Sequence, residues 1–492
     1  MQGIVILIIF AAYFGSLYLI SHIVSKKSSD NDAFFSGNKK APWYIVAIGM
    51  IGTSISGVTF VSVPGMVGKF DMTYMQMVLG FFFGYLAVAY VLLPLYYRLN
   101  LISIYTYLEQ RFGFYSYKTG AAFFILSRII GSAAKLYLIA LILQSLVFDY
   151  WHIPFEVTVM AIIFFIWLYT HKSGIKTIIW TDTLQTLCVV IAVIMIIWQV
   201  SHLLDFNVSD IIYNMRVNPH SNIFVFDWNS PQNFFKQFLS GIFIVIVMTG
   251  LDQDIMQKNL SCKNLKDARK NMLTYGFMFI PINFLFLALG ILLLIFASNQ
   301  GITLPPVSDE ILPFLVNDYL GIGCLLFFTI GIIGASFANA DSALASLTTS
   351  FSVDILAISS RNQKQATAIR KKVHVGMSII LVITILLIHY IGQENILNTI
   401  YKVASYTYGP LLGMFALGLF SKMKVRDKYM PMVCIASPIL CYIIEIYLHT
   451  NLHYKVGYEI LILNGMLTII GMLIIKEKRE PKNKKLKKTP VP

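Results

Sequence analysis

Charge is scarce in this chain. Only 13% of its 492 residues are Asp, Glu, Lys or Arg, 57% are hydrophobic, and the mean hydropathy is +0.71. Soluble domains carry about twice that share of charge, so an ordinary water-bathed globule is excluded and a polytopic membrane protein is implied. Cysteine is equally thin. The five present (Cys188, Cys262, Cys324, Cys434 and Cys441) are scattered, four of them in apolar stretches, and imply neither a disulfide framework nor a thiolate or other transition-metal site. Long polar segments are missing too. The longest loops, about 204–235 and 351–373, are too short for an independent domain, so the membrane bundle has to carry the activity. Residues 1–24 lack a basic leading region and precede Lys26 and Lys27, which favours a retained span over a cleaved signal peptide.

What the chain does have is apolar runs of about 20 residues, the length that crosses a hydrocarbon core of about 30 Å as helix. Thirteen occur, at 2–24, 43–67, 74–97, 119–148, 153–170, 176–203, 236–256, 272–297, 319–350, 374–393, 398–421, 429–449 and 457–475. An all-α architecture follows. With the N-terminus outside, thirty-one of the 38 Lys and Arg residues fall on cytoplasmic segments, including a loop group of Lys258, Lys263, Lys266, Arg269 and Lys270 and the tail 476–492. That one-sided distribution accounts for the net charge of +14 through orientation and contact with anionic membrane lipid, so nucleic acid is not an expected partner. The chain reads as one transporter-sized unit, 1–475, with a disordered basic cytoplasmic tail, integral to the cell (inner) membrane.

Three polar features interrupt the apolar background. Asp341 is the only charged residue in 319–350, and a carboxylate at mid-bilayer costs about 3 kcal/mol, so such residues mark wet cavities and ion paths. Beside it Ala335, Ala338, Asn339, Ser342, Ser346 and Thr349 recur at helical spacing, a stripe of hard oxygens that suits a cation or glues helices together. In the second span Gly49, Gly52, Gly57, Pro64 and Gly65 are interleaved with Thr53, Ser54, Ser56 and Thr59. Two readings fit: a broken helix whose freed carbonyls bind a cation, or close helix packing by small residues. Asp182, with Thr181, Thr183 and Gln185 near the cytoplasmic face, is either an ion ligand or an aspartate stabilised at a helix start. Together these features point to coupled movement of a cation and a solute.

The segments ISGVTFVSVPG (55–65), LEQRFG (108–113), WTDTLQT (180–186), DQDIMQKNLSCKNLKDA (252–268), LASLTTSFSVDI (344–355) and SYTYGPLLGMF (405–415) resemble, in order and over nearly the whole chain, the sodium:solute symporter family. That family contains sodium-coupled transporters of sugars, proline, sialic acid, monocarboxylates, vitamins and iodide. The resemblance implies an inverted-repeat core of the leucine transporter type over about 43–421. In it the second to sixth spans would recur upside down as the seventh to eleventh, with 2–24, 429–449 and 457–475 peripheral. It implies no enzyme and no cofactor, with Na+ as coupling ion. A first sodium would lie between the carbonyls of Gly52 and Ile55 and residues Ala335, Ala338 and Asn339. The family commonly has adjacent hydroxyls where Ala338 and Asn339 stand, so one ligand is lost and the Asn339 oxygen is expected to replace the other. A second cation position would use Asp182, Asp341 and Ser342. Asp341 stands where a serine is expected, and the two carboxylates either hold sodium or share a proton.

For the solute the resemblance implies Thr59 and Tyr401, with Gln76, Tyr74 and Tyr137 expected from helix placement. Lys135 and Arg128, seven apart, project from one face of the fourth span: Lys135 either turns inward to meet a solute carboxylate or snorkels to the interface. An organic anion or sugar acid is therefore favoured over neutral sugars and amino acids. Proton-coupled symport and a passive channel are the rival readings. An intramembrane aspartyl protease needs a carboxylate dyad in YD and GxGD contexts, and here the contexts are WTDT and NADS.

Overall fold

Lipid offers no partner for backbone N–H and C=O groups, so a chain of this composition has to satisfy them within helices. The computed structural model describes residues 2–25, 31–171, 174–391, 396–452 and 456–477. Most of the basic tail, 478–492, lies outside the described residues. The helices in chain order are α1 (Gln2–Ser25), α2 (Trp43–Ser54), α3 (Gly57–Phe70), α4 (Tyr74–Arg98), α5 (Phe114–Leu143), α6 (Phe155–Thr170), α7 (Ile175–Leu203), α8 (Phe234–Gly250), α9 (Gln253–Leu260), α10 (Leu265–Asn299), α11 (Gly321–Ile355), α12 (Gln363–Ile391), α13 (Ile396–Phe420), α14 (Met430–Leu452) and α15 (Ile460–Ile474), with short helices between them. Among the described residues the only strand-like pairings are two isolated bridges.

Eight helices (α4, α5, α7, α10, α11, α12, α13 and α14) are long and apolar enough to cross a membrane, α2–α3 and α8–α9 each form one further bent span, and α1, α6 and α15 carry shorter apolar segments. Each of the thirteen expected spans falls on one of these elements. The bends are 60° between α2 and α3 and 64° between α8 and α9. They fall in the second and seventh spans, the opening members of the two halves of an inverted repeat.

Glycine and proline in the second span act differently from one another. Gly49 and Gly52 stay helical and let α2 lie against α7: a Cβ on Gly52 would meet Thr186 Oγ1 at 2.2 Å, and one on Gly49 would meet Asp182 Cβ at 3.1 Å. Thr183 and Thr186 then donate to the carbonyls of Ile45 (3.1 Å) and Ile48 (2.8 Å). For these two glycines close packing is the correct reading. Pro64 and Gly65 sit inside α3 without breaking it. The break lies between Ser54 and Gly57, where Ile55 leaves helical geometry and Ser56 caps α3 by accepting from Thr59 N–H at 3.4 Å.

The second bend departs from the expectation of a continuous span over 236–256. The chain turns at Leu251, and Asp252 caps α9 by accepting from Asp254 N–H at 2.8 Å. Its freed carbonyls are taken up by tyrosines, Tyr96 donating to Gly250 O and Tyr105 to Leu251 O, both at 2.8 Å. All eight residues of α9 are buried, so this polar half-helix belongs to the core and not to a cytoplasmic loop.

Candidate cation and solute site

The two broken spans meet α7 and α11 around a fully buried carboxylate, Asp182. Its Oδ2 lies 3.0 Å from the Thr53 hydroxyl at the end of α2, 2.5 Å from Lys258 Nζ on α9 and 3.4 Å from Ser342 Oγ on α11. Its Oδ1 has no hydrogen-bond partner among the described residues. Asp341, equally buried, accepts from Tyr169 Oη of α6 at 2.9 Å and from Ser342 N–H at 2.5 Å, and the Ser342 hydroxyl lies 3.2 Å away. Ser342 Oγ is thus shared between the two carboxylates. The structure brings Asp182, Asp341 and Ser342 together as the sequence expects, with Thr53 added to the group.

Lys258 corrects the sequence reading. Counted there among loop lysines, it is 1% exposed and its ammonium pairs with Asp182 and also donates to the Thr53 hydroxyl. A buried ion pair of this kind stands only because each charge compensates the other. The hydropathy pattern concealed it by running a continuous span to 256 and leaving Lys258 to the loop beyond; a run of Asp, Gln and Lys directly after an apolar stretch was the available signal.

At the first position Gly52 lies in the last turn of α2 and Ile55 stands at the break, with Ala335, Ala338 and Asn339 buried on α11. Asn339 ties α11 to the broken span through its amide nitrogen. Its Nδ2 donates to Thr53 O at 2.7 Å, and a carbonyl oxygen there can be met only by the amide nitrogen. The side chain therefore bridges α11 to the broken span directly, and its oxygen is not presented to that carbonyl.

A cavity with about 700 Å³ of empty space, its open mouth included, adjoins the break and is lined by Thr53, Ser56, Thr59, Phe81, Tyr85, Arg128, Lys135, Phe279 and Asn339 among others. Only about 100 Å³ of that space is open to a water-sized sphere, less than the range of about 300–1,000 Å³ typical of small-molecule pockets, so the cavity is narrow in this conformation. Thr53 and Asn339 belong to both cavity and cation group, so the two sites share walls. Arg128 and Lys135, both on α5, part company here. Arg128 is salt-bridged to Asp254 and lies 3.7 Å from Asp252, which in turn accepts from Tyr408 Oη at 2.5 Å. Lys135 lines the cavity with no hydrogen bond or ion pair among the described residues. Asp252 and Asp254, absent from the sequence list of buried carboxylates, were concealed like Lys258 by the polarity of α9.

Of the remaining expected solute residues, Thr59 lines the cavity and Gln76, Tyr74 and Tyr137 do not. Gln76 is fully buried and holds the external loop, accepting from Val225 N–H at 3.1 Å and donating to Gln232 O at 2.9 Å and Thr73 O at 3.3 Å. Tyr74 borders a separate cleft with Gln232, Lys402 and Glu445. Tyr137 packs on Phe155 and His389. Tyr401 stands on α13, but its side chain lies outside the described residues.

Known proteins share this architecture. A solved Na+-coupled sialic acid symporter in a substrate-bound, outward-open state superposes with a TM-score of 0.82 at 21% identity, covering 96% of this chain and 98% of that one, so the fold is the same. In sequence the chain is 24% identical over 425 residues to the sodium/sialic acid symporter NanT of Aliivibrio fischeri, covering 83% of this chain and 81% of the relative. It is 24% identical over 423 residues to the sodium/sialic acid symporter SiaT of Proteus mirabilis, covering 83% of each. A family model matches residues 34–427. The chain thus belongs to the sodium:solute symporter family, and is an integral membrane, sodium-coupled secondary active transporter of a small solute and not an enzyme.

Proposed function

We propose that the solute is a small organic anion of the sugar-acid class, carried inward with sodium by alternating access. Lys135 carries this reading: a basic residue lining the cavity beside Thr59, with no direct ion pair among the described residues, suits a carboxylate on the solute. Arg128 cannot serve in the same way while Asp254 and Asp252 engage it. The sialic acid transport named for two relatives agrees, since sialic acid is a sugar acid. Thr59 would add a hydroxyl contact, and Tyr401 is retained as the residue that family likeness puts at the pocket.

Sodium, in this reading, binds between the Gly52 and Ile55 carbonyls and α11 at a first position, with Ala335 and Ala338 contributing only backbone and Asn339 its amide. A second cation position lies at Asp182, Asp341 and Ser342. The N-terminus is outside and the C-terminus cytoplasmic, as the lysine and arginine distribution supports. The core over about 43–421 rocks within one transporter unit, 1–475, in the cytoplasmic membrane.

Counterflow in proteoliposomes loaded with unlabelled sialic acid tests the solute class. Labelled sialic acid should exchange and its methyl ester, which lacks the charge, should not. Equal exchange of acid and ester would exclude a role for the carboxylate.

A further inference from the structure

The second cation position already contains a cation, supplied by the protein. Lys258 Nζ is 2.5 Å from Asp182 Oδ2 and donates also to the Thr53 hydroxyl, so two hard oxygens that suit a monovalent metal ion instead hold an ammonium of the same charge. The lysine is buried on a half-helix with no exposed residue, and its stem is fixed by that packing. We propose that Lys258 is a tethered resident cation of the second site, taking the place of one sodium at Asp182 and leaving the chain room for a single external cation. The proposal rests on the reading of Asp182, Asp341 and Ser342 as a cation site.

Charge and geometry both support it. Two carboxylates face one ammonium, so one negative charge remains to be neutralised. That charge falls to Asp341, which already accepts from Tyr169 Oη at 2.9 Å and from Ser342 N–H at 2.5 Å, with the Ser342 hydroxyl 3.2 Å away, so the second site takes no sodium of its own and the single external cation is the one at the first position. A tethered ammonium also competes with free sodium without losing translational freedom on binding. Sodium could displace it only by leaving a lysine buried and unpaired, which is strongly unfavourable. Because Lys258 lies on α9, Asp182 on α7 and Thr53 on α2, the resident cation also joins the two broken spans across the repeat.

Equilibrium binding of radiolabelled sodium, with choline chloride holding ionic strength constant, tests this in the purified full chain, paired with sodium titration of the thermal midpoint. Wild type should bind one sodium per chain at saturation. Lys258→Met should bind an additional sodium or reach half-saturation at a sodium concentration at least about tenfold lower. That gain should vanish in Lys258→Met/Asp182→Asn, which removes both charges. A Lys258→Met protein that folds in sodium but not in choline gives the same answer, because sodium is then replacing the ammonium. Should it fold in neither, wild-type stoichiometry decides, with two sodium ions per chain overturning the proposal and one supporting it. Sodium binding that Asp182→Asn weakens but Lys258→Met leaves unchanged would overturn the role of the lysine alone. Identical sodium titrations of Lys258→Met and the double variant would overturn the second-site reading itself.

Discussion

Lys135→Gln keeps a flexible polar side chain, one bond shorter, and removes its charge from the cavity wall. Two unit charges about 4 Å apart at an effective dielectric of about 20 attract by about 4 kcal/mol. Fixing the lysine and stripping its hydration offsets about half of that, leaving about 2 kcal/mol, or a half-saturating concentration about 30-fold higher. Counterflow of labelled sialic acid at graded concentrations reads this directly. Lys135→Arg should retain most of the affinity, since the charge is kept. Stability without solute should hardly move, because Lys135 lines the cavity with no protein ion pair among the described residues. A half-saturating concentration in Lys135→Gln within about threefold of wild type, with intact counterflow, would refute the argument. A large drop in thermal midpoint without solute would show instead that the lysine supports the fold.

Other substitutions test the framework around the site. Asp254→Asn leaves Arg128 only the 3.7 Å contact to Asp252, and uncompensating a buried pair costs about 3–5 kcal/mol, so the thermal midpoint should fall sharply; an unchanged midpoint would show the pair is not buried in the working protein. Gly52→Ala would drive a Cβ to 2.2 Å from Thr186 Oγ1, overpacking worth about 1–3 kcal/mol, and Thr186→Ala in the same chain should restore part of the lost thermal stability. Gln76→Ala removes three hydrogen bonds to its neighbours and the external loop. Proteolysis within 222–233 should accelerate while the half-saturating solute concentration stays as in wild type; a weakened solute affinity with unchanged proteolysis would return Gln76 to the pocket.

How far the sequence reveals the site depends on the residue. Asp341 and Asp182 stand out because a carboxylate in an apolar run has no routine explanation, and both prove fully buried beside one another. The break in the second span is legible for the same reason, hydroxyls and glycines crowded where a helix should be apolar. The second break is not. Hydropathy runs the seventh span straight through Asp252, Gln253 and Asp254 and leaves Gln257 and Lys258 to a loop, yet Tyr408, Arg128 and Asp182 engage Asp252, Asp254 and Lys258 inside the protein while backbone groups of Ile102, Ile104 and Phe35 engage the two glutamines, and a single chain read in one dimension does not display its partners. Gln76 misleads in the opposite direction, since a buried amide on a core helix looks like a ligand until the backbone of the external loop is seen to occupy it.

The family assignment and the paired breaks make one central claim, that a sodium gradient drives this chain. Proteoliposomes with an inward sodium gradient at fixed pH measure it most directly, using labelled sialic acid as solute. Accumulation above the external concentration, abolished when choline replaces sodium, is the predicted result. Equal accumulation in sodium and in choline would contradict it.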